Sequence, residues 1–130
     1  RGARGELRRC EVRPCESLGD AILTSTTPDM FADAEFACFD KLAKAVRMRR
    51  YGGDCYAYAM LALGQIDLVV EAALKPFDIA PLIPIIEKAG GVITGWNGED
   101  AAQGGRVVAA GDPRLHEKAL SILRECPPAA

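Results

Sequence analysis

The feature that most constrains this chain is a nearly continuous apolar segment, IDLVVEA, at residues 66–72. A strand with one wet face alternates apolar and polar residues, and this segment does not, so we predict a strand buried on both faces. Such a strand needs helices on both sides of its sheet. Glu71 lies at the carboxyl end of the predicted strand, where an ionised carboxylate is costly to bury unless it is paired.

Strand and helix patterns interleave along the rest of the chain in the order β-β-α-α-β-α-β-β-α, which indicates an α/β fold in one domain, residues 1–130. The last helix has the clearest start, with Asp112 as N-cap and Pro113 in the first position. The predicted strands are residues 6–14, 20–24, 66–72, 92–96 and 104–111, and the predicted helices are residues 33–48, 55–64, 78–89 and 113–125.

Composition excludes several classes of partner. The formal net charge is -2, so no general basic field attracts nucleic acid, and no apolar run approaches the roughly 20 residues that a membrane helix needs. The five cysteines form no CxxC pair and His116 is the single histidine, which argues against a zinc site and fits free thiols in a reducing cytoplasm. The opening RGARGELRR, without an initiator Met, is typical of a linker, so we expect a piece of a longer protein.

Three carboxylates have both a structural and a functional interpretation. Glu71 either reaches the solvent edge of the sheet or meets a ligand at the carboxyl end of its strand. Asp78 precedes a predicted helix and either caps it or binds a hard cation such as Mg²⁺. Asp54 follows Gly52 and Gly53 and either caps the next helix or faces a cationic group, since two glycines let a ligand approach the backbone closely.

Read together, RYGGDCYAYAMLALGQIDLVVEA, the FDIA at residues 77–80, the EKAGG at residues 87–91 and GGRVVAAGDPRLHEKAL resemble the inositol monophosphatase family of Mg²⁺-dependent phosphomonoesterases. The likeness runs from about Asp20 onward. It implies the C-terminal half of a layered α-β-α-β-α fold, with a mixed sheet flanked by helices. Phe77 stands where the family usually has Trp, and Pro84 is expected to bend its helix locally.

The resemblance implies roles for the carboxylates. Asp78 matches the metal-binding Asp of the family's second signature, and Glu71 matches a position that touches the non-phosphate part of the substrate. Gly52, Gly53 and Asp54 match the loop that lines the substrate site. RYGGDCYAY and LKPFDIAPLIPIIE look most like the histidinol-phosphate phosphatase branch, whose substrate offers an ammonium and an imidazole to acidic side chains; another phosphate ester, or a binding module without chemistry, remains the alternative.

The family's first signature, which reads like D-P-hydrophobic-D-G-T and supplies most metal ligands, does not occur in this sequence. One carboxylate with waters binds Mg²⁺ weakly, and two-metal phosphoryl chemistry needs several converging carboxylates. We therefore expect negligible phosphatase activity from this chain alone. Its expected partners are a small phosphate ester and either the missing N-terminal half or a second copy of itself.

Overall fold

The structure, a computed structural model, describes residues 10–128 and contains one five-stranded sheet between two helical layers. The strands are β1 (Ile22–Thr24), β2 (Met48–Arg50), β3 (Leu68–Leu74), β4 (Val92–Thr94) and β5 (Gly105–Ala110). The helices are α1 (Asp33–Ala45), α2 (Tyr56–Ala62), α3 (Pro76–Ile79), α4 (Ile83–Lys88) and α5 (Pro113–Leu123), with 3-10 turns at Leu18–Asp20, Pro28–Met30, Ala80–Leu82 and Ala101–Gln103. No helix in the described part of the chain has the length and apolar character to cross a membrane.

The sheet is mixed, with the strand order β2-β1-β3-β5-β4. β1 runs parallel to β2 and β3, whereas β5 runs antiparallel to β3 and β4. β3 is therefore the strand at which the sheet changes from parallel to antiparallel pairing. The predicted α/β class with a mixed sheet flanked by helices is confirmed.

Side chains of β3 alternate between two apolar cores, one on each face of the sheet. Leu68 and Val70 pack with residues of α1 and α5, and Val69 packs with residues of α2 and α4. All three are fully buried. The absence of polar alternation in the sequence thus predicted the burial of this strand correctly, because each face meets a helical layer.

Two predicted boundaries near the amino end are wrong. The predicted strand at residues 6–14 lies partly outside the described residues, and residues 10–14 form no strand, although Val12 N–H donates to Ala89 O at 3.0 Å. The helix predicted to reach Met48 ends at Ala45, and Met48 begins the edge strand β2. The charged VRMRR segment lacks a strand pattern, so its pairing with β1 comes from tertiary contact.

The helix predicted over residues 78–89 is divided into α3, a 3-10 turn and α4. Pro81 lies in the 3-10 turn and Pro84 in the first turn of α4. Proline lacks the backbone N–H that a helix interior needs, so the two prolines interrupt the helix more than the expected local bend. The first of these helices, α3, begins at Pro76, two residues before the predicted start at residue 78.

A partly buried ion pair joins the segment before β1 to the amino end of β3. Arg13 donates two hydrogen bonds to Asp67, at 2.8 and 2.7 Å, and Ile22 N–H donates to the same carboxylate at 2.8 Å. The side chain of Asp67 is 1% exposed. The three hydrogen bonds to Asp67 offset much of the free-energy cost of removing its charge from water.

We expect Asp67→Ala to lower the free energy of unfolding by about 2 kcal/mol, because the buried Ile22 N–H and the partly exposed Arg13 lose their shared acceptor. Urea unfolding followed by circular dichroism measures this difference. The matched control is Glu125→Ala, which breaks the exposed pair of Glu125 with Lys41 and should leave the free energy of unfolding nearly unchanged. Equal losses for the two variants would contradict this account.

Candidate functional site

A cavity of about 320 Å³ opens where the carboxyl end of β1 meets β3 and the two helices α2 and α3. It brings together three carboxylates that the sequence singled out, Asp54, Glu71 and Asp78. The remaining lining residues are Thr26, Met30, Cys55, Tyr58, Leu74 and Leu82. Ligands of open α/β sheets commonly bind at such an edge, beyond the carboxyl ends of parallel strands.

Glu71 is the most enclosed carboxylate of the cavity, with 2% of its surface exposed. Its Oε2 accepts hydrogen bonds from Thr26, one from the backbone N–H at 3.0 Å and a short one from the side-chain hydroxyl. Its Oε1 accepts a hydrogen bond from the Tyr58 hydroxyl, with 2.9 Å between the two oxygen atoms. Three donors thus hold the carboxylate in one orientation. Their hydrogen bonds offset part of the free-energy cost of burying a carboxylate in an apolar strand.

The sequence placed Glu71 at the carboxyl end of its strand, but the strand does not end there. β3 continues to Leu74, but the pairing with β5 shifts register between Glu71 and Leu74. Ala73 within this irregularity has φ 60°. The bulge bends the strand directly after Glu71, at a cavity edge, where bulges commonly redirect side chains.

The Gly52–Gly53–Asp54 turn leads from β2 into α2. Gly52 has φ +90°, and a Cβ on Gly53 would lie 2.7 Å from both Ala57 Cβ and Thr24 Cγ2. Both positions therefore need glycine, the first for its backbone angle and the second for space. The described lining residues of the cavity include Asp54 and neither glycine, so the glycines shape the turn and Asp54 reaches the cavity.

Asp54 does not cap α2, which was one of the two roles considered from the sequence. The residue at the start of α2 is Cys55, and no side chain caps this helix. Asp54 is exposed, with φ 48°, a left-handed conformation that a non-glycine residue adopts at some cost. Such strain at a cavity edge is typical of functional positions.

Asp78 is exposed and occupies the third position of α3. Its Oδ2 accepts the backbone N–H of Lys75 at 3.0 Å, so the carboxylate reaches back over the helix start. Asp78 thus caps α3 from the third position of the helix and not from the residue before it, as the sequence had suggested. Its other carboxylate oxygen, Oδ1, remains available toward the cavity. The seven residues between Glu71 and Asp78 span the end of β3 and the entry into α3, which face the same space.

Burial and charge act together on Glu71. Burial raises the pKa of Glu71, and the negative charge of Asp54 acts in the same direction, while the hydrogen bonds from Thr26 and Tyr58 oppose the rise. Burial also raises the pKa of Tyr58, followed by the charge of Glu71. Tyr58 therefore stays a hydrogen-bond donor at neutral pH. No Lys, Arg or His is among the described lining residues, so the cavity favours positive charge.

The described residues do not by themselves form a metal site. Within residues 10–128, no group of three or more His, Cys, Asp and Glu side chains could hold a metal ion. Asp78 offers one carboxylate on the cavity surface, and a hard divalent cation takes several oxygen ligands. A metal bound through Asp78 needs further ligands from outside the described residues.

Sequence reasoning missed Thr26 and Tyr58, which hold Glu71. Thr26 follows β1 in the segment TSTT, and polar residues after the carboxyl end of a strand are a usable signal for a site. Tyr58 lies four residues after Asp54, on the same side of the α2 entry, and this spacing was also visible. The separation of 45 residues between Thr26 and Glu71 gave no local signal for their contact.

The pH dependence of stability tests the burial of Glu71. Its raised pKa means that the folded protein holds the proton more tightly than the unfolded chain, whose value is near 4.5. The resulting stabilisation is complete below that value and is lost as the pH rises through the folded pKa. Each unit of the rise corresponds to about 1.4 kcal/mol.

We expect Glu71→Gln to remove this loss, because glutamine keeps an acceptor oxygen and does not ionise. The free energy of unfolding of the variant relative to the unchanged protein should therefore increase between pH 5 and pH 8. Urea unfolding at the two pH values measures this difference, with the exposed Glu87→Gln on α4 as control. A difference that is constant with pH contradicts a raised Glu71 pKa.

Removing the Tyr58 hydroxyl tests the hydrogen bond to Glu71. Tyr58→Phe should lower the free energy of unfolding by about 1–2 kcal/mol at pH 7, because the buried carboxylate loses a donor. In a Glu71→Gln background the loss should be smaller, since the partner is then neutral. Equal losses in the two backgrounds would show that the hydroxyl acts independently of the carboxylate charge.

Comparisons with known proteins agree with this architecture. The chain is 42% identical over 121 residues to the bifunctional phosphatase IMPL2 of Arabidopsis thaliana, covering 86% of this chain and 35% of that protein. It is 36% identical over 87 residues to a histidinol-phosphatase of Streptomyces coelicolor, covering 67% of this chain and 32% of that protein. The chain thus spans about a third of the length of these curated relatives.

The solved structure of an inositol monophosphatase from Zymomonas mobilis superimposes with a TM-score of 0.85 at 42% identity, covering 88% of this chain and 46% of that one. The model of the inositol monophosphatase family matches residues 2–127. The sheet order, the cavity at its carboxyl edge and the match over nearly the whole sequence agree: the chain belongs to the inositol monophosphatase family.

Proposed function

We propose that this chain forms the substrate-recognition part of a Mg²⁺-dependent phosphomonoesterase, with histidinol phosphate as the substrate. The observation that carries the proposal is the convergence of Asp54, Glu71 and Asp78 on one cavity whose described lining holds no basic residue. A negative cavity suits the cationic part of a substrate and a divalent cation, and it repels a bare phosphate.

In this proposal Asp54 and Glu71 receive the cationic end of the substrate. Glu71 is fixed by Thr26 and Tyr58, so little conformational entropy is lost when a ligand contacts it. Asp54 is exposed and held by a glycine turn, so it can meet an ammonium at the cavity mouth. The similarity to a histidinol-phosphatase of Streptomyces coelicolor supports this choice of substrate.

Asp78 contributes one ligand to the Mg²⁺ site, and the other ligands come from residues outside those described. When bound, Mg²⁺ would polarise the phosphate and activate a water. The chain spans 46% of the Zymomonas mobilis inositol monophosphatase, which supports an upstream half as the source of these ligands. Under this proposal residues 1–130 are the C-terminal half, completed by that half or by an association that replaces it, and the protein is cytoplasmic.

The decisive experiment is phosphate release from histidinol phosphate with and without Mg²⁺. The chain is assayed alone and after mixing with an upstream half that carries the acidic metal-binding signature. We expect turnover in the mixture only, and a loss of at least about 100-fold with Asp78→Asn, because a metal ligand is removed. Glu117→Gln on α5, on the opposite face of the sheet, should leave the rate unchanged.

Substrate class is tested by comparing histidinol phosphate with inositol 1-phosphate in the same mixture. If Asp54 and Glu71 receive a cation, Asp54→Asn and Glu71→Gln should raise KM for histidinol phosphate about 10-fold or more. KM for the uncharged inositol ring should change much less. Equal effects on both substrates would favour an enzyme of another phosphate ester, which the similarity to the Zymomonas mobilis protein also supports. Saturable binding without turnover in the mixture would favour a binding module.

A further inference from the structure

Two cysteines that take no part in the cavity lie together on the opposite face of the sheet. Cys126 follows the carboxyl end of α5 and is 6% exposed within the core shared by α1 and α5. Cys38 lies in α1 and packs against the same core, with part of its surface exposed. The two cysteines are 88 positions apart in the sequence, so only the fold brings them together.

The Cys126 thiol contacts the turn of α1 that precedes Cys38. Its Sγ lies 3.7 Å from the carbonyl oxygen of Ala34. In an α-helix that oxygen also receives the backbone N–H of Cys38, four residues later. Side chains of a helix tilt toward its amino end, so the Cys38 thiol leans toward the same carbonyl. Both sulfur atoms therefore lie beside the same turn of α1.

A neighbouring exposed ion pair has the same register between the two segments. Lys41 Nζ lies 2.7 Å from Glu125 Oε1, which joins the residue before Cys126 to the residue three after Cys38. Cys126 is thus bracketed along α1 by its own contact with Ala34 and by this pair. The helix α5 has already ended at Leu123, so the Cys126 backbone can adjust without breaking a helical turn.

We propose that Cys38 and Cys126 are an oxidation site that forms an intramolecular disulfide joining α1 to the end of α5. The other cysteines are placed differently. Cys10 and Cys55 are exposed, and Cys55 lines the cavity. Cys15 N–H binds Asp112 at the amino end of α5, so the 11 residues of α5, about 16 Å, separate Cys15 from Cys126.

The oxidant is a small-molecule disulfide such as oxidised glutathione. The partly exposed Cys38 thiolate attacks one sulfur of that disulfide, forming a mixed disulfide and expelling one glutathione thiolate. The Cys126 thiolate then attacks the Cys38 sulfur and expels the second glutathione. Two protein thiols lose two electrons and two protons in total, and both are accepted by the two glutathione thiols that leave.

The Cys38 thiol rests uncharged at neutral pH. Burial raises the pKa of Cys38 to about 11, and the neighbouring Cys126 thiol adds to the rise. The small thiolate fraction makes the first step slow compared with reaction at the exposed Cys55. The Cys38–Cys126 site therefore responds to sustained oxidation. Once the mixed disulfide has formed on Cys38, the proximity of Cys126 favours the intramolecular disulfide as the product.

The test is incubation of the reduced protein with oxidised glutathione for hours, blocking of the remaining thiols in denaturant, and digestion with trypsin and a Glu-specific protease. This digestion separates the Cys38 peptide, FACFDK, from the peptide that begins at Cys126. We expect the two peptides to be linked by a disulfide in monomeric protein. Because this readout uses the unchanged protein, it does not depend on the folding of a variant.

Thermal unfolding gives a second measurement. The disulfide closes a long loop, so the oxidised protein should unfold about 10 °C above the reduced protein. Cys38→Ser and Cys126→Ser should abolish this shift, and Cys55→Ser should keep it. The proposal is overturned if prolonged oxidation leaves Cys38 and Cys126 unlinked, whether as free thiols or as separate glutathione adducts, while Cys55 has reacted completely.

Discussion

The burial of β3 on both faces is the constraint on which the rest of the structure depends. One face meets α1 and α5 and the other meets α2 and α4, so the chain must return helices to both sides of the sheet. β3 also pairs in parallel with β1 and antiparallel with β5. The parallel pair brings the end of β1 beside Glu71, and the antiparallel pair carries the bulge that follows it. The same strand therefore provides the core and the floor of the cavity.

Polar residues inside this framework are stable only where the fold supplies partners. Asp67, near the start of β3, receives Arg13 and Ile22 N–H, and Glu71, further along the same strand, receives Thr26 and Tyr58. The two carboxylates differ in consequence. Asp67 has a cationic partner and joins elements of the fold. Glu71 has only neutral donors, so it keeps an unbalanced negative charge beside the cavity, where a cationic ligand could offset it.

The layered arrangement separates the two kinds of chemistry in this chain. The cavity and its carboxylates lie on the α2 and α4 side of the sheet, and the Cys38–Cys126 pair lies on the α1 and α5 side. A disulfide between α1 and the end of α5 would stabilise one helical layer without touching a residue of the cavity. Changes at one face can therefore be measured with the other face as an internal reference.

The sequence by itself determined the features that depend on local order. These are the existence and double burial of the strand around residues 68–72, the Asp112–Pro113 start of α5, and the residue types that mark the family. Periodicity and residue chemistry are local properties, so they can be read along the chain. Only the tertiary structure decided the strand identity of Met48–Arg50, the donors to Glu71 and the meeting of Cys38 with Cys126. Each depends on contacts between residues far apart in sequence, which only the packing of the layers brings together.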